Sequence, residues 1–370
     1  CIYCQADAYF DSVLQAINKA KTHIDMEVYI FDIDPIGKLI SRALIQAAQR
    51  GVHVRLLVDG MGASLNFISV AKRLKDVGAL VRIHRPLPWH FKLWALSLSS
   101  FKGLQKLWYL ITYINQRNHR KLLIIDQHAI WLGSLNVSQK HFTHDKGGEN
   151  WRDTAISLHN IDTSIIQSVY DLNWRKRKRK DKKRLAQRLS STPFLLNFTR
   201  ALRLIQRKKL LSRTSSAQNI IWITNAYFMP DSKLLSALIS ASNKGVDVRI
   251  ILPRQSDVFF MPWVASFFYG QLLKANVRIY EYQAGILHAK TLIIDNWASI
   301  GSSNLNRRSL QHDLEIDYTL QSNQSINQLM NDFLTDTNHS EELYQDELNT
   351  KKPWQRYLGG LILALFSYWL

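Results

Sequence analysis

NHRKLLIIDQHAIWLGSLN, from Asn118 to Asn136, and HAKTLIIDNWASIGSSN, from His288 to Asn304, are one pattern written twice in the same chain. Each copy carries a His, a Lys two places on, an Asp five places after that, then a Gly-Ser-x-Asn group after a short apolar run. The runs Leu122 to Ile125 and Thr291 to Ile294 are short and aliphatic or β-branched, which suits a buried strand rather than a helix. Side chains alternate along a strand, so His119 and Lys121 share one face while Asp126 takes the other. The same parity separates His288 and Lys290 from Asp295, so each Asp is expected to brace its strand or loop rather than reach a ligand.

Working outward, the repeat extends to architecture. Asp7 to Ala20 is spaced as an amphipathic helix, HIDMEVYIF (His23 to Phe31) alternates as a strand, Pro35 to Gln49 is helical up to Gly51, and Val52 to Gly60 is a strand. The order recurs as a strand from Ile220 to Phe228, a helix from Asp231 to Asn243, Gly245, and a strand from Val246 to Pro253. Strands alternating with helices imply an α/β fold, and 370 residues with an internal repeat imply two similar domains. We expect a first domain at 1–173, a basic linker at 174–217, a second domain at 218–350 and a basic, apolar tail at 351–370.

The copies differ in one place. Ile83 to His119 is 36 residues where Ile279 to His288 is 9, so the first half carries an insertion of 27, at about 85–117. Its mixture of Trp, Phe, Tyr and Leu with Lys suits either a membrane interface or a packed helical hairpin. VFFMPWVASFFYGQLL (Val258 to Leu273) reads as a packed helix or as one at the mouth of a lipid site, being short of a span of about 20 residues. The tail, Tyr357 to Leu370 behind Lys351 and Lys352, suits dipping into one leaflet or docking on the protein itself.

A net charge of +19 points to a polyanionic partner, nucleic acid or an anionic membrane. WRKRKRKDKKRLAQR (Trp174 to Arg188) reads as a solvated linker or as a surface for anionic lipid. Two cysteines, Cys1 and Cys4, give no disulfide framework and too few ligands for a zinc site. A chain beginning at Cys reads as a trimmed fragment ahead of a lipid-modified N-terminus.

The two HxKxxxxD…GSxN copies resemble the phospholipase D superfamily. The wider text, YIFDIDPIGKLI, WRDTAISL, GSSNLNRRSL and the C-terminus, is similar to the bacterial cardiolipin synthase branch. The resemblance implies two phospholipase D-like domains, each a mixed β-sheet flanked by helices, packed about a pseudo-twofold axis with one site between them. It implies that His119 is the nucleophile that takes up the phosphoryl group and His288 the general acid. Lys121 and Lys290 then neutralise phosphoryl oxygens, with Asn136, Asn304, Ser134 and Ser302 as hydrogen-bond donors. Two ammonium groups do the work of a metal, so neither metal nor other cofactor is expected.

The resemblance also implies that acids orient the histidines, and aligning WRDTAISL with DLEIDYTL puts Asp153 and Glu315 at one position, with Glu149 and Asp313 as nearby rivals. His84, His90, His128, His141 and His144 have no repeated partner and read as ordinary residues. The function implied is transfer of a phosphatidyl group from one phosphatidylglycerol to another, giving cardiolipin. The partners would be an anionic phospholipid and a membrane surface, at the bacterial inner membrane, with no nucleic acid. A phospholipase D that uses water is the nearest alternative; a nuclease, or a binding module with a dead site, lies further off.

Overall fold

The computed structural model describes residues 1–87, 89–97, 116–174, 179–348 and 353–366. The first half runs β1 (Ile2–Tyr3), α1 (Ala6–Lys19), β2 (His23–Phe31), α2 (Pro35–Gln49), β3 (His53–Ala63), α3 (Phe67–Asp76), β4 (Leu80–His84), α4 (Phe91–Trp94), β5 (Leu122–Ile125), β6 (Ala129–Gly133), β7 (Ala155–His159) and α5 (Ser164–Trp174). Next come α6 (Arg179–Leu189), β8 (Phe194–Leu196) and α7 (Arg200–Ser216). The second half runs β9 (Ile220–Asn225), α8 (Ser232–Asn243), β10 (Asp247–Pro253), α9 (Met261–Lys274), β11 (Arg278–Tyr282), β12 (Lys290–Ile294), β13 (Trp297–Gly301), α10 (Arg307–Gln311), β14 (Ile316–Thr319), α11 (Asn323–Asn338), β15 (Ser340–Leu343) and α12 (Pro353–Phe366).

The two sheets share one plan. The first has the order β4-β3-β2-β5-β6-β7-β1, the second β11-β10-β9-β12-β13-β14-β8 with β15 added beside β11. In each, the three strands of the βαβ run pair in parallel and the motif strands pair antiparallel to them. The fold is therefore α/β with two mixed sheets flanked by helices, as the repeat implies.

Strand alternation distributes the cores. Leu123 and Ile125 of β5 face α1 and α2, whereas Leu122 and Ile124 join Ile293 of β12 and Ile300 of β13 in a core between the two sheets. Helix starts follow from local chemistry: Asp34 and Asp231 cap α2 and α8 by accepting from amides of the first turn.

Between the halves, the segment expected as a linker holds two helices and a strand. Leu185 and Leu189 of α6 are buried, and β8 pairs with β14 at the edge of the second sheet. Most of the aromatic insertion, residues 98–115, lies outside the described residues, as do Lys351 and Lys352. Helix α12 docks on α9 so closely that a Cβ on Gly359 would stand 2.5 Å from the Trp263 carbonyl carbon. It leaves Trp354, Tyr357, Leu361 and Leu365 exposed, and Phe267 of α9, beside Gly360, is exposed as well. No helix among the described residues is long and apolar enough to cross a membrane.

Candidate active site

The halves are stitched at the motif. His119 N–H donates to the Leu314 carbonyl at 3.0 Å and Leu314 N–H to the Arg117 carbonyl at 2.8 Å. In the mirror arrangement His288 N–H donates to the Arg152 carbonyl and Arg152 N–H to the Ile286 carbonyl, both at 2.8 Å. These two bridges bring the residue after Leu314 to His119, and the residue after Arg152 to His288.

The bracing acids consequently cross over. His119 Nδ1 lies 3.1 Å from both oxygens of Glu315, and His288 Nδ1 lies 2.7 Å from Asp153 Oδ1. Each histidine is thus oriented by an acid of the other half, and with Nδ1 donating, Nε2 is the nitrogen with the lone pair. The rivals serve other partners: Glu149 accepts from the Trp151 indole, and Asp313 accepts from the Arg117 amide and pairs with Arg308.

One cavity of about 290 Å³ is lined by His119, His288, Asn136 and Asn304, together with Tyr29, Tyr227 and Trp151. Trp151 packs on His288 with centroids 5.2 Å apart, and Tyr29 packs edge-on to His119 at 4.9 Å. Val258, Phe260 and Met261, at the start of α9, form part of the wall, so α9 is a packed helix whose first turn reaches this cavity. Arg308, Asp313 and Asp257 supply charge to the wall, with Asp257 accepting from the Tyr227 hydroxyl at 2.7 Å.

The structure departs from the sequence expectation at two pairs, the motif serines and the motif lysines. Ser134 and Ser302, expected as donors to a ligand, donate to Asp153 at 2.6 Å and to Glu315 at 2.5 Å, and both are fully buried behind those acids. Lys121 and Lys290 sit one step back, each donating to the carbonyl of its own histidine. Asp126 and Asp295, the motif's aspartates, lie at the ends of their strands opposite the histidines. There Asp126 accepts from the amides of Lys21, Thr22 and His23, and Asp295 from those of Gln218, Asn219 and Ile220. These two belong to the scaffold and not to the site, as side-chain parity requires. The motif glycines follow from close packing: a Cβ on Gly133 would stand 2.5 Å from Ala155 Cα, and one on Gly301 2.5 Å from Asp317 Cα.

His141 is the residue that sequence reasoning passed over. Its Nε2 accepts from the Asn136 amide at 3.1 Å, so its Nδ1 carries the proton and donates to Asp153 Oδ2 at 2.6 Å. Asp153 therefore holds His141, His288 and Ser134 at once. In the other half Ser309 takes the equivalent place, five residues after Asn304 as His141 is after Asn136, and donates to Glu315 at 2.6 Å. That offset was the available signal. His141, Asp153 and His288 are all metal-ligand types with donor atoms within 4.8 Å of one another. Their facing atoms stand at hydrogen-bond distance, whereas two ligands on one zinc ion stand roughly 3.3 Å apart, so the trio fits a hydrogen-bonded relay better than a cation site.

Burial and charge set the protonation of the groups around the cavity. Burial, aided by Lys121 and Lys290, holds the His119 imidazole well below its usual range. Burial and Lys290 lower His288 to about 4, against the pull of Asp153. Burial opposes the charged form of Asp153, but His141 and His288 outweigh it and keep the carboxyl well below the usual range. Glu315 is pushed up by burial to about 7, with Lys121 and the two serine hydroxyls working the other way. Burial also brings Lys121 down to about 7 and Lys290 down to about 8.

A family model described as "Cardiolipin synthase, PLD-like domain" matches residues 13–151 and 210–337. A cardiolipin synthase of Halalkalibacterium halodurans is 31% identical over 364 residues, covering 94% of this chain and 68% of that protein. One of Clostridium perfringens strain SM101 is 34% identical over 328 residues, covering 85% of this chain and 65% of that protein. The chain thus spans about two thirds of the length of these curated relatives. Among solved structures, a phosphatidylserine synthase of Haemophilus influenzae superposes with a TM-score of 0.72 at 12% identity, covering 100% of this chain and 94% of that one. A polyphosphate kinase from Porphyromonas gingivalis gives 0.62 at 16% identity, over 98% of this chain and 53% of that one. At such identities these two structures speak to the fold alone.

Proposed function

The chain belongs to the phospholipase D superfamily, in its cardiolipin synthase-like family, and from that premise we propose that it is a phosphatidyltransferase that makes cardiolipin from phosphatidylglycerol. The observation that carries the mechanism is the crossed bracing of His119 by Glu315 and of His288 by Asp153 around a single cavity.

In the first step His119 Nε2 attacks phosphorus, a P–N bond forms, and the P–O bond to the departing glycerol breaks. His288 gives its Nε2 proton to that oxygen. The roles follow from the acids. His119 is kept neutral by burial and the two lysines and faces a Glu315 raised by burial to about 7, whereas His288 faces an Asp153 that stays anionic and so supports an imidazolium once a phosphate arrives. In the second step His288 takes the proton from a hydroxyl of the second phosphatidylglycerol. That oxygen attacks phosphorus and the P–N bond breaks, returning both histidines to their starting states. Lys121 and Lys290, lowered by burial, are drawn to the charged form by the incoming anion and neutralise it from behind the histidines. Asn136 and Asn304 hold the phosphoryl group.

Transfer requires an alcohol to win over water, so the site must exclude water and position the acceptor. The first turn of α9 at the cavity wall, together with the exposed apolar residues of α9 and of α12 packed on it, supports docking of this face on a membrane with the cavity toward the lipid. Residues 1–173 and 218–350 serve as the two domains in this reading, with β8 and α7 going with the second.

The deciding experiment supplies purified protein with labelled phosphatidylglycerol in vesicles. Cardiolipin and glycerol in equal amounts are expected. Phosphatidic acid alone would make the protein a hydrolase, and cleavage of a DNA oligonucleotide would make it a nuclease.

A further inference from the structure

The internal repeat allows one place in the fold to be compared with itself. Asp126 takes the amides of Lys21 to His23 and Asp295 those of Gln218 to Ile220, so residue 21 corresponds to residue 218 and α1 to α7. On that register the buried apolar side of α1, Ala6, Tyr9, Phe10, Val13 and Ile17, becomes Arg203, Gln206, Arg207, Leu210 and Thr214 in α7. The sheet beneath changes in the same sense. Val28, Leu135 and Ala155 correspond to Asn225, Ser303 and Asp317.

The volumes follow. Between α1 and its sheet, beside Lys121, the void is about 20 Å³. Between α7 and its sheet, beside Lys290, the cavity is about 390 Å³, a size typical of ligand pockets. Its walls carry Arg203, Arg207, Lys209, Arg213 and Lys290 against the single acid Asp317, with Leu210 and Trp297 among the apolar lining. Arg203, Arg207 and Arg213 are partly held already: Arg203 donates to the Gln311 and His312 carbonyls, Arg207 pairs with Asp231, and Arg213 stacks over Trp297 at 4.8 Å. Five cations to one acid make this lining strongly positive, which suits an anionic ligand.

We propose that the cavity under α7 is a second ligand site, distinct from the catalytic cavity, that binds a phosphate-bearing anion, either free phosphate or a phospholipid headgroup. Guanidinium donors suit phosphate oxygens, and Leu210 and Trp297 suit the carbon chain that follows them in a lipid. The site also touches the catalytic machinery. Lys290 lines it while donating to the His288 carbonyl, and Ser309 lines both cavities while donating to Glu315. A bound anion therefore favours the charged form of Lys290.

Hydrogen exchange on the full chain tests this, with inorganic phosphate and dihexanoyl phosphatidylglycerol as probes. Slower exchange across Arg200 to Ser216 is expected with at least one probe, unchanged in His119→Ala and weakened at least tenfold in apparent affinity in Arg207→Gln/Arg213→Gln. Protection by phosphate identifies a free-anion site; protection by the lipid alone identifies a headgroup site. No protection of α7 by either probe overturns the proposal. Gln206→Tyr/Arg207→Phe, which restores the α1 side chains, should remain folded with a raised Tm and lose the protection. If this refilled protein kept it, the cavity would not be the binding site.

Discussion

Removing the proton donor should matter only when the leaving group needs a proton. His288→Ala deletes the imidazole whose Nδ1 is 2.7 Å from Asp153, and general acid catalysis of this kind contributes about 10²–10⁴-fold, or roughly 3–5 kcal/mol of barrier. Asp153→Asn keeps the imidazole but exchanges a charge-assisted hydrogen bond for a neutral one. About 1.5–3 kcal/mol is at stake there, which is roughly 10–10²-fold. Against phosphatidylglycerol both variants should be slow in that order. Against a phosphatidyl 4-nitrophenyl ester, whose leaving group departs unprotonated, both should release a burst of one nitrophenolate per protein near the wild-type rate. Turnover of His288→Ala should then stall, because the same residue is the base of the second step. His119→Ala should show no burst with either substrate. Stopped-flow absorbance reads the nitrophenolate released by wild type and the three variants, and labelled product reads their turnover of phosphatidylglycerol. A burst from His119→Ala together with none from His288→Ala would reverse the assigned roles, and bursts from both would remove the imidazole nucleophile altogether.

Three further outcomes follow from the geometry. Asp126→Ala leaves three amides at the start of β2 to solvent and should cost about 1–2 kcal/mol in thermal unfolding with kcat unchanged, since the site is a strand length away; a collapse of kcat in folded protein would return this residue to the chemistry. His141→Phe keeps a ring in the core but takes one donor from Asp153. Because His141 helps hold that carboxyl low, its pKa should rise and the acidic limb of the activity profile should move to higher pH; an unmoved limb would make His141 mere packing. Trp354→Ser/Leu361→Ser/Leu365→Ser changes three exposed side chains of α12 and should leave Tm unaltered while lowering flotation with phosphatidylglycerol vesicles at least ~100-fold, at roughly 1.5 kcal/mol or more per buried side chain; undiminished flotation would place membrane contact elsewhere.

What could be read in the sequence was whatever a local pattern encodes. The strand His23–Phe31 and the helix Pro35–Gln49 have the bounds that alternation and helical spacing imply. The motif histidines and the acids Asp153 and Glu315 were legible because they recur. The crossing of those acids was not, because it depends on how two halves meet, through bridges such as His119 to Leu314 that leave no periodic trace. Ser134 and Ser302 were placed with the ligand because a serine beside a motif asparagine reads as an open donor; only burial shows the acid it serves. His141 escaped for the opposite reason. Its repeat partner is Ser309, so the equivalence is one of position and not of residue type. The basic text of α6 and α7 suggested a solvated connection, yet Leu185, Leu189 and Leu202 suffice to seat these helices on the sheet.

The covalent step is the point on which the mechanism stands. Protein mixed with phosphatidylglycerol labelled at phosphorus, quenched in alkali within one turnover and digested, should carry an acid-labile label on the peptide containing His119. The label should vanish in His119→Ala. Label on the His288 peptide, or on neither histidine while cardiolipin is being formed, would contradict the mechanism.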